Sequence, residues 1–209
     1  MTYFVVGLGN TGEEYKSTRH NVGRESVEYF VSAHEGEFKS SPKKTSLVAK
    51  VATAPLKSEK GKKGSVQAIL PETFMNVSGK AVAEFVTSKA AAQKSLILVH
   101  DDLDLPLGMV KVCANKSAGG HKGVESVIKA VKTQEFIRIR IGITPTDAKG
   151  KLKKPDHDKL IDGFIVHPFK ADELAQIVKA RKAISESIRL ISTLGYEHAL
   201  NIINSKVLK

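Results

Sequence analysis

The chain lacks the features on which several protein classes depend. Its 209 residues include one cysteine, Cys113, and no tryptophan. An internal disulfide framework and a zinc site built on several thiolates are therefore excluded. No apolar run approaches the ~18 residues that a membrane-crossing helix needs. The opening residues, Met1-Thr2-Tyr3-Phe4-Val5-Val6-Gly7, have neither the basic start and apolar core of a secretory signal nor an arginine-rich amphipathic pattern. No cleavable presequence is expected from them. Acidic residues are in deficit, 22 against 33 Lys+Arg, which leaves a net charge of +11. That excess points to a polyanionic partner, because cations that neutralise phosphates gain affinity by releasing counterions. With 41% hydrophobic and 26% charged residues, the composition is globular and the length suits one domain over residues 1–209.

Short apolar runs alternate with longer helical patterns, which predicts an α/β fold. Tyr3–Leu8 and Ser95–His100 read as central strands covered on both faces. Leu47–Ala52 and Val66–Leu70 read as a strand pair joined by Thr53–Gly64. Phe136–Ile143 alternates so that Arg138 and Arg140 share one side of a strand. Helical periods span Arg24–His34, Ser78–Lys89, Gly123–Lys132 and Ala171–Thr193. The last sets Leu174, Ile177, Val178, Ile184, Ile188 and Ile191 on one stripe. Gly195 ends that helix and Tyr196–Ser205 forms a final short one. Two lysine-rich stretches, Lys57–Lys63 and Thr144–Lys159, read as solvated loops, either of which suits an RNA-facing fringe.

Four segments carry candidate chemistry. Gly7-Leu8-Gly9-Asn10-Thr11-Gly12 matches a dinucleotide-binding fingerprint. The polar run that follows opens no helix at the second glycine, however, and no acid-tipped strand follows about twenty residues on. The glycines instead let the backbone turn and expose Asn10 at a strand's carboxyl end. His20 sits in a polar loop, where its plainer role is that of a surface residue. His100-Asp101-Asp102-Leu103-Asp104 follows a strongly apolar strand, and strand ends on one edge of a parallel sheet lie side by side. Asp101 is therefore expected to reach His20 and orient its imidazole for deprotonating water. The plainer readings of the acidic triplet are a helix cap or a divalent-metal site, and Pro106 and Gly108 favour a turn over a metal cage. Asn76 or Ser78, in Phe74-Met75-Asn76-Val77-Ser78-Gly79, reads as a helix N-cap. Asn115-Lys116-Ser117-Ala118-Gly119-Gly120-His121-Lys122-Gly123 reads as a phosphate-contacting loop or a flexible surface loop.

Taken together, the chain resembles the bacterial-type peptidyl-tRNA hydrolases, esterases that release peptide from tRNA. The resemblance runs through Gly7–Gly23, Phe74–Gly79, His100–Gly108, Gly119–Gly123 and Arg138–Ile143, in order, and covers residues 3 to about 170. It implies a single three-layer α/β/α domain with a mixed, twisted central sheet. It makes His20 the general base for an attacking water and Asp101 the residue that orients it. Asn10 and Asn76 become the asparagines that position substrate, Tyr15 and Met75 line the cleft, and Arg140 contacts an acceptor-end phosphate. Lys111 and Lys116 are placed to join Arg140, although Cys113 stands at one position where the family carries a basic contact. An aminoacyl ester is already activated, so no cofactor and no metal is required. No serine or cysteine stands in a triad context, which favours direct attack by water.

One departure lies in the site: Lys122 stands where the family commonly has asparagine, and a charged lysine cannot accept a hydrogen bond. The two basic stretches resemble elaborations on the compact bacterial pattern and suggest a eukaryotic, organellar member. The expected partner is peptidyl-tRNA and not a membrane, with the protein acting as a monomer in cytoplasm or mitochondria. The competing reading is an RNA-binding, splicing-type protein on the same fold without hydrolysis. Retention of Asn10, His20, Asn76 and Asp101 argues against it. A small-molecule esterase fits poorly with the +11 charge.

Overall fold

The computed structural model describes residues 1–53, 61–155 and 158–207. Its centre is a seven-stranded mixed sheet ordered β2-β3-β4-β1-β5-β7-β6. The strands are β1 (Thr2–Gly7), β2 (Lys39–Ser40), β3 (Ser46–Thr53), β4 (Gly64–Pro71), β5 (Leu96–Pro106), β6 (Val110–Ala114) and β7 (Ile137–Thr144). Strand β1 runs parallel to β4 and β5, and β5 parallel to β7. Strand β3 pairs antiparallel with β4, and β6 with β7. The near-continuous apolar runs become the central parallel strands because only a strand covered on both faces can bury every side chain.

Helices α1 (Val22–Ala33) and α6 (Ala171–Leu194) cover one face with α7 (Tyr196–Val207). Helices α2 (Ser78–Val82), α3 (Lys89–Ser95) and α4 (Lys122–Val131) cover the other. The two cores share the sheet by side-chain alternation: Val5, Ile97 and Val99 face the first, while Val6, Leu96 and Leu98 face the second.

Four expectations are corrected. The helix expected over Ser78–Lys89 is two: α2 ends at Val82, and Ser88 starts α3 by accepting the Ala91 amide at 3.1 Å. Neither Asn76 nor Ser78 is an N-cap, since Ser78 is already helical and its hydroxyl donates to the Met75 carbonyl at 2.9 Å. The α6 stripe is Ile177, Ala180, Ile184, Ile188 and Ile191, whereas Leu174 and Val178 remain 39% and 47% exposed. The expected loop Thr144–Lys159 runs into a helix, α5 (Asp158–Val166), and residues 156–157 lie outside the described structure. The tip expected at Lys57–Lys63 falls largely outside the described residues as well.

Strand β5 also continues past His100 through the acidic segment, with a register irregularity between Asp102 and Pro106. At Gly142 on β7, an added Cβ would lie 1.8 Å from the Pro106 carbonyl oxygen. The two backbones approach this closely only because residue 142 has no side chain. Gly23 plays the same part at the start of α1, where a Cβ would meet the Val99 carbonyl oxygen at 2.4 Å. It seats the helix, and the His20 turn before it, directly on β5.

Gly23→Ala is therefore expected to destabilise the protein by about 1–3 kcal/mol, since both clashing groups are backbone. The urea midpoint measures this, and a midpoint equal to wild type would show that α1 can lift from β5 without cost.

Candidate active site

The residues of interest gather at the carboxyl ends of β1 and β5, which are adjacent and parallel, with Gly7 opposite Val99. Strand β1 leads into a loop with two short 3-10 turns, Glu13–Tyr15 and Arg19–Asn21, before α1 begins. The second turn carries His20 over β5. His20 Nδ1 lies 3.0 and 3.1 Å from the two Asp101 carboxylate oxygens. A carboxylate only accepts, so Nδ1 carries the proton and Nε2 is the basic nitrogen.

The expected pair proves to be three residues. His121 Nε2 lies 2.9 Å from Asp101 Oδ1, while His121 Nδ1 accepts the amides of Gly123 and Val124 at 3.1 and 3.3 Å. His121 is thus the N-cap of α4, and its tautomer follows: two amides donate to Nδ1, so Nε2–H must donate to Asp101. The rings of His20 and His121 are 5.0 Å apart, and His100 lies 4.9 Å from His121. His100 donates from Nδ1 to the Asp101 carbonyl at 2.7 Å.

Burial and these contacts set the charges. Burial raises the cost of the Asp101 carboxylate, but the two flanking imidazoles outweigh it and hold the group far below the usual carboxylate range. Burial likewise opposes a charged His20, and Asp101 outweighs that, so His20 sits above its ordinary value. Burial dominates at His100, which lies well below its ordinary value and stays neutral. Donor atoms of His20, Asp101 and His121 lie within 4.8 Å of one another. A metal ion there would have to displace the proton on His121 Nε2.

A cleft of about 800 Å³ opens from this cluster, lined by His20, Asp101, the Lys116–Lys122 loop, Arg138, Arg140 and α5. Arg140 and Lys122 both face it, and both are paired. Arg140 Nε donates to Asp102 at 2.5 Å, and that contact outweighs burial in keeping the guanidinium charged. Lys122 Nζ donates to Asp162 on α5 at 3.0 and 3.2 Å, with both side chains more than half exposed. Lys154 in turn pairs with Asp104.

Asn10 is not exposed, as expected from sequence, but only 9% accessible. Its backbone is clamped by the Asn21 amide at 2.8 and 2.9 Å, and its side-chain oxygen accepts the Met75 amide at 2.8 Å. Its Nδ2 hydrogens are the donors left over. Met75 packs into the second core instead of facing the large cleft, while Asn76 is exposed and Tyr15 half-buried. Phe74, beside Met75, is 59% exposed. None of Asn10, Tyr15, Met75 or Asn76 lines the 800 Å³ cleft. The Asn10–Met75 hydrogen bond ties their two segments together.

Residues that sequence reasoning passed over hold this arrangement. Arg19, next to His20, donates to Glu173 at 2.6 Å and to the carbonyls of His167 and Pro168 at 3.2 and 2.6 Å. Its guanidinium stacks over Phe164 and Phe169. The basic residue of a polar loop thereby becomes a buried rivet to α6. A signal existed for His121, which stands directly before an amphipathic helix. Histidine is not a usual cap, and the segment read more simply as a phosphate loop.

Comparison with known proteins agrees with this geometry. A family model described as peptidyl-tRNA hydrolase matches residues 4–209. The chain is similar to a peptidyl-tRNA hydrolase of Thermodesulfovibrio yellowstonii, 37% identical over 203 residues, which cover 96% of this chain and 97% of that protein. It is similar to one of Aquifex aeolicus, 37% identical, with 96% and 95% covered. The crystal structure of peptidyl-tRNA hydrolase from Acinetobacter baumannii matches with a TM-score of 0.78 at 26% identity, over 98% of this chain and 95% of that one. All three are bacterial, and none bears on the eukaryotic origin suggested by the basic stretches.

Removing the rivet should be costly. Arg19→Ala leaves Glu173 buried without its counter-charge, at an expected loss of about 3–5 kcal/mol in urea unfolding. The double substitution Arg19→Met with Glu173→Gln should recover much of that loss. A single substitution that unfolds like wild type would mean the ion pair is not what holds the His20 turn.

Proposed function

The chain belongs to the peptidyl-tRNA hydrolase family, and from that premise we propose how its residues carry out the hydrolysis of peptidyl-tRNA. His20 Nε2 removes a proton from a water molecule as that water attacks the ester carbonyl carbon. The bond between that carbon and the ribose oxygen of the terminal nucleotide then breaks. The proton held on Nε2 passes to the departing ribose oxygen, leaving a peptide acid and free tRNA. Asp101 fixes the Nδ1–H tautomer of His20 and stabilises the imidazolium that forms. The observation that carries this reading is the Nδ1 contact to both oxygens of a buried, ionised Asp101, which leaves the opposite nitrogen as the base.

His121 acts through Asp101, its N–H bond holding the carboxylate in place. It is a positioning residue. Asn10 offers its Nδ2 hydrogens to the substrate carbonyl region, its side chain oriented by the Met75 amide, with the exposed Asn76 and the half-buried Tyr15 as further substrate contacts. The Met75 side chain, packed in the second core, acts only through that amide. Lys122 and Arg140 face RNA from the basic side of the cleft, and for each the counter-ion seen here must be exchanged for phosphate. No cofactor or metal is called for by this chemistry, and the whole chain acts as one monomeric domain in the compartment of translation, cytoplasm or mitochondrion. Among the described residues no helix is long and apolar enough to cross a membrane. The competing splicing-type reading has no observation in its favour. The family relationship supports hydrolysis, and a binding module has no use for a base with its orienting acid.

His20→Ala should lower turnover of peptidyl-tRNA by about 10²–10⁴-fold while tRNA binding persists. Near-normal turnover would remove His20 from the mechanism. The base works neutral, so activity falls as pH drops through the raised His20 value. In Asp101→Asn the carboxylate no longer opposes burial, so the acidic limb of the pH–rate profile should move to lower pH as the rate falls. An unchanged limb would show that Asp101 does not set the protonation of His20.

A further inference from the structure

The arginines of this chain follow a rule with one exception. Arg19 pairs with Glu173, Arg24 with Glu72, Arg140 with Asp102, Arg181 with Glu25 and Arg189 with Glu186. Arg138 alone has no carboxylate partner among the described residues. It is also among the most buried of the six, only 2% exposed. Its Nη1 donates to a neutral group, the Ser117 carbonyl, at 2.9 Å. Its Nε and Nη2 are shielded from solvent and have no partner. Its neighbours across β5 and β6 are Leu98 and Cys113, neither of them an anion in waiting like Asp102 beside Arg140. A guanidinium withdrawn from water without a counter-charge is among the most costly arrangements in a folded chain. Arg19 shows that this protein supplies a buried carboxylate where an arginine serves the fold alone.

Arg138 nevertheless lines the cleft, on the side of the Lys116–Gly120 loop. Nε and Nη2 form one edge of the planar guanidinium, spaced to hold two oxygens of a single phosphate. Nη1 holds the loop down through Ser117. Gly119 and Gly120 both take positive φ, with nothing within 4 Å of the space a Cβ would fill, so no other segment packs over the loop at these two residues. Lys116 carries a further positive charge there with no ion pair among the described residues.

We propose that Arg138 is the anchor of an anion site beneath the Lys116–Gly120 loop, and that its ligand is a backbone phosphate of the substrate's RNA. Entry of the phosphate exchanges the Ser117 tether for a two-point contact to the Nε–Nη2 edge. The fold thus stores an unpaired charge that only the substrate neutralises. This inference rests on the peptidyl-tRNA reading and assigns the phosphate contact to Arg138 ahead of Arg140, whose Nε already holds Asp102.

Arg138→Met separates the possibilities, because it keeps the side chain's bulk and removes the charge. Deacylated tRNA should bind about tenfold or more weakly to it than to wild type. The slope of log affinity against log salt should flatten by about 0.7–0.9. The urea midpoint should equal or exceed that of wild type, since an uncompensated buried charge has gone. Arg138→Lys, which retains the charge without the fork, should keep the salt slope and still bind more weakly; it decides the matter if the methionine variant fails to fold. Wild-type tRNA affinity and slope in both variants, or in the lysine variant alone if only it folds, would make Arg138 structural and overturn the site. In that case active wild type would leave the hydrolase reading standing. A wild type that neither binds tRNA nor hydrolyses peptidyl-tRNA would overturn both.

Discussion

The site depends on one buried negative charge. The Asp101 carboxylate sits at the carboxyl end of a central strand, almost wholly removed from water, and stays ionised because imidazole N–H groups face it from two directions. Each of those imidazoles is fixed elsewhere. His20 rides on a turn riveted by Arg19 to α6, and His121 is pinned by the first amides of α4. Three layers of the fold therefore converge on one side chain. A shift in either helix layer would leave the carboxylate short of a donor, and a buried acceptor short of a donor is costly.

Charge pairing elsewhere follows the same economy and gives the cleft its character. The chain carries +11 overall, yet the cationic groups nearest the cleft are largely matched: Arg140 by Asp102, Lys154 by Asp104, Lys122 by Asp162. The Lys122 and Lys154 pairs are exposed, hence weak, and exchange readily with solvent ions or phosphates, whereas the Arg140–Asp102 pair is largely buried and is screened less. Lys122 makes its own contact across the cleft to α5. The same bond changes two things there, since Lys122 works against a cationic His20 and Asp162 in its favour. The buried Arg138 is the exception to the matching, and burial makes that exception energetically significant where a surface lysine's would not be.

Glycine shapes this site as much as charge does. With any side chain at position 23, α1 could not rest on the Val99 carbonyl, and the His20 turn would stand away from Asp101. The irregular stretch of β5 after Asp102 lies against Gly142 for the same reason. These are backbone-to-backbone contacts between segments distant in sequence. A local pattern records the glycine but not what it touches.

Much of the architecture was legible from residues alone. Continuous apolar runs can only be central strands, alternation placed Arg138 and Arg140 on one side, and Gly195 ended α6, because these follow from periodicity and local backbone preference. The meeting of His20 and Asp101 was also legible, since adjacent parallel strands must bring their carboxyl ends together. Tertiary structure alone decided the rest. It buried Asn10 under an Asn21 clamp and a Met75 amide, sent Met75 into the second core, and left Leu174 and Val178 outside the α6 stripe. It joined His121 to Asp101 and Arg19 to Glu173. Each of these depends on a partner far away in sequence, and a residue's type states which bonds it can form without stating which group will be there to form them.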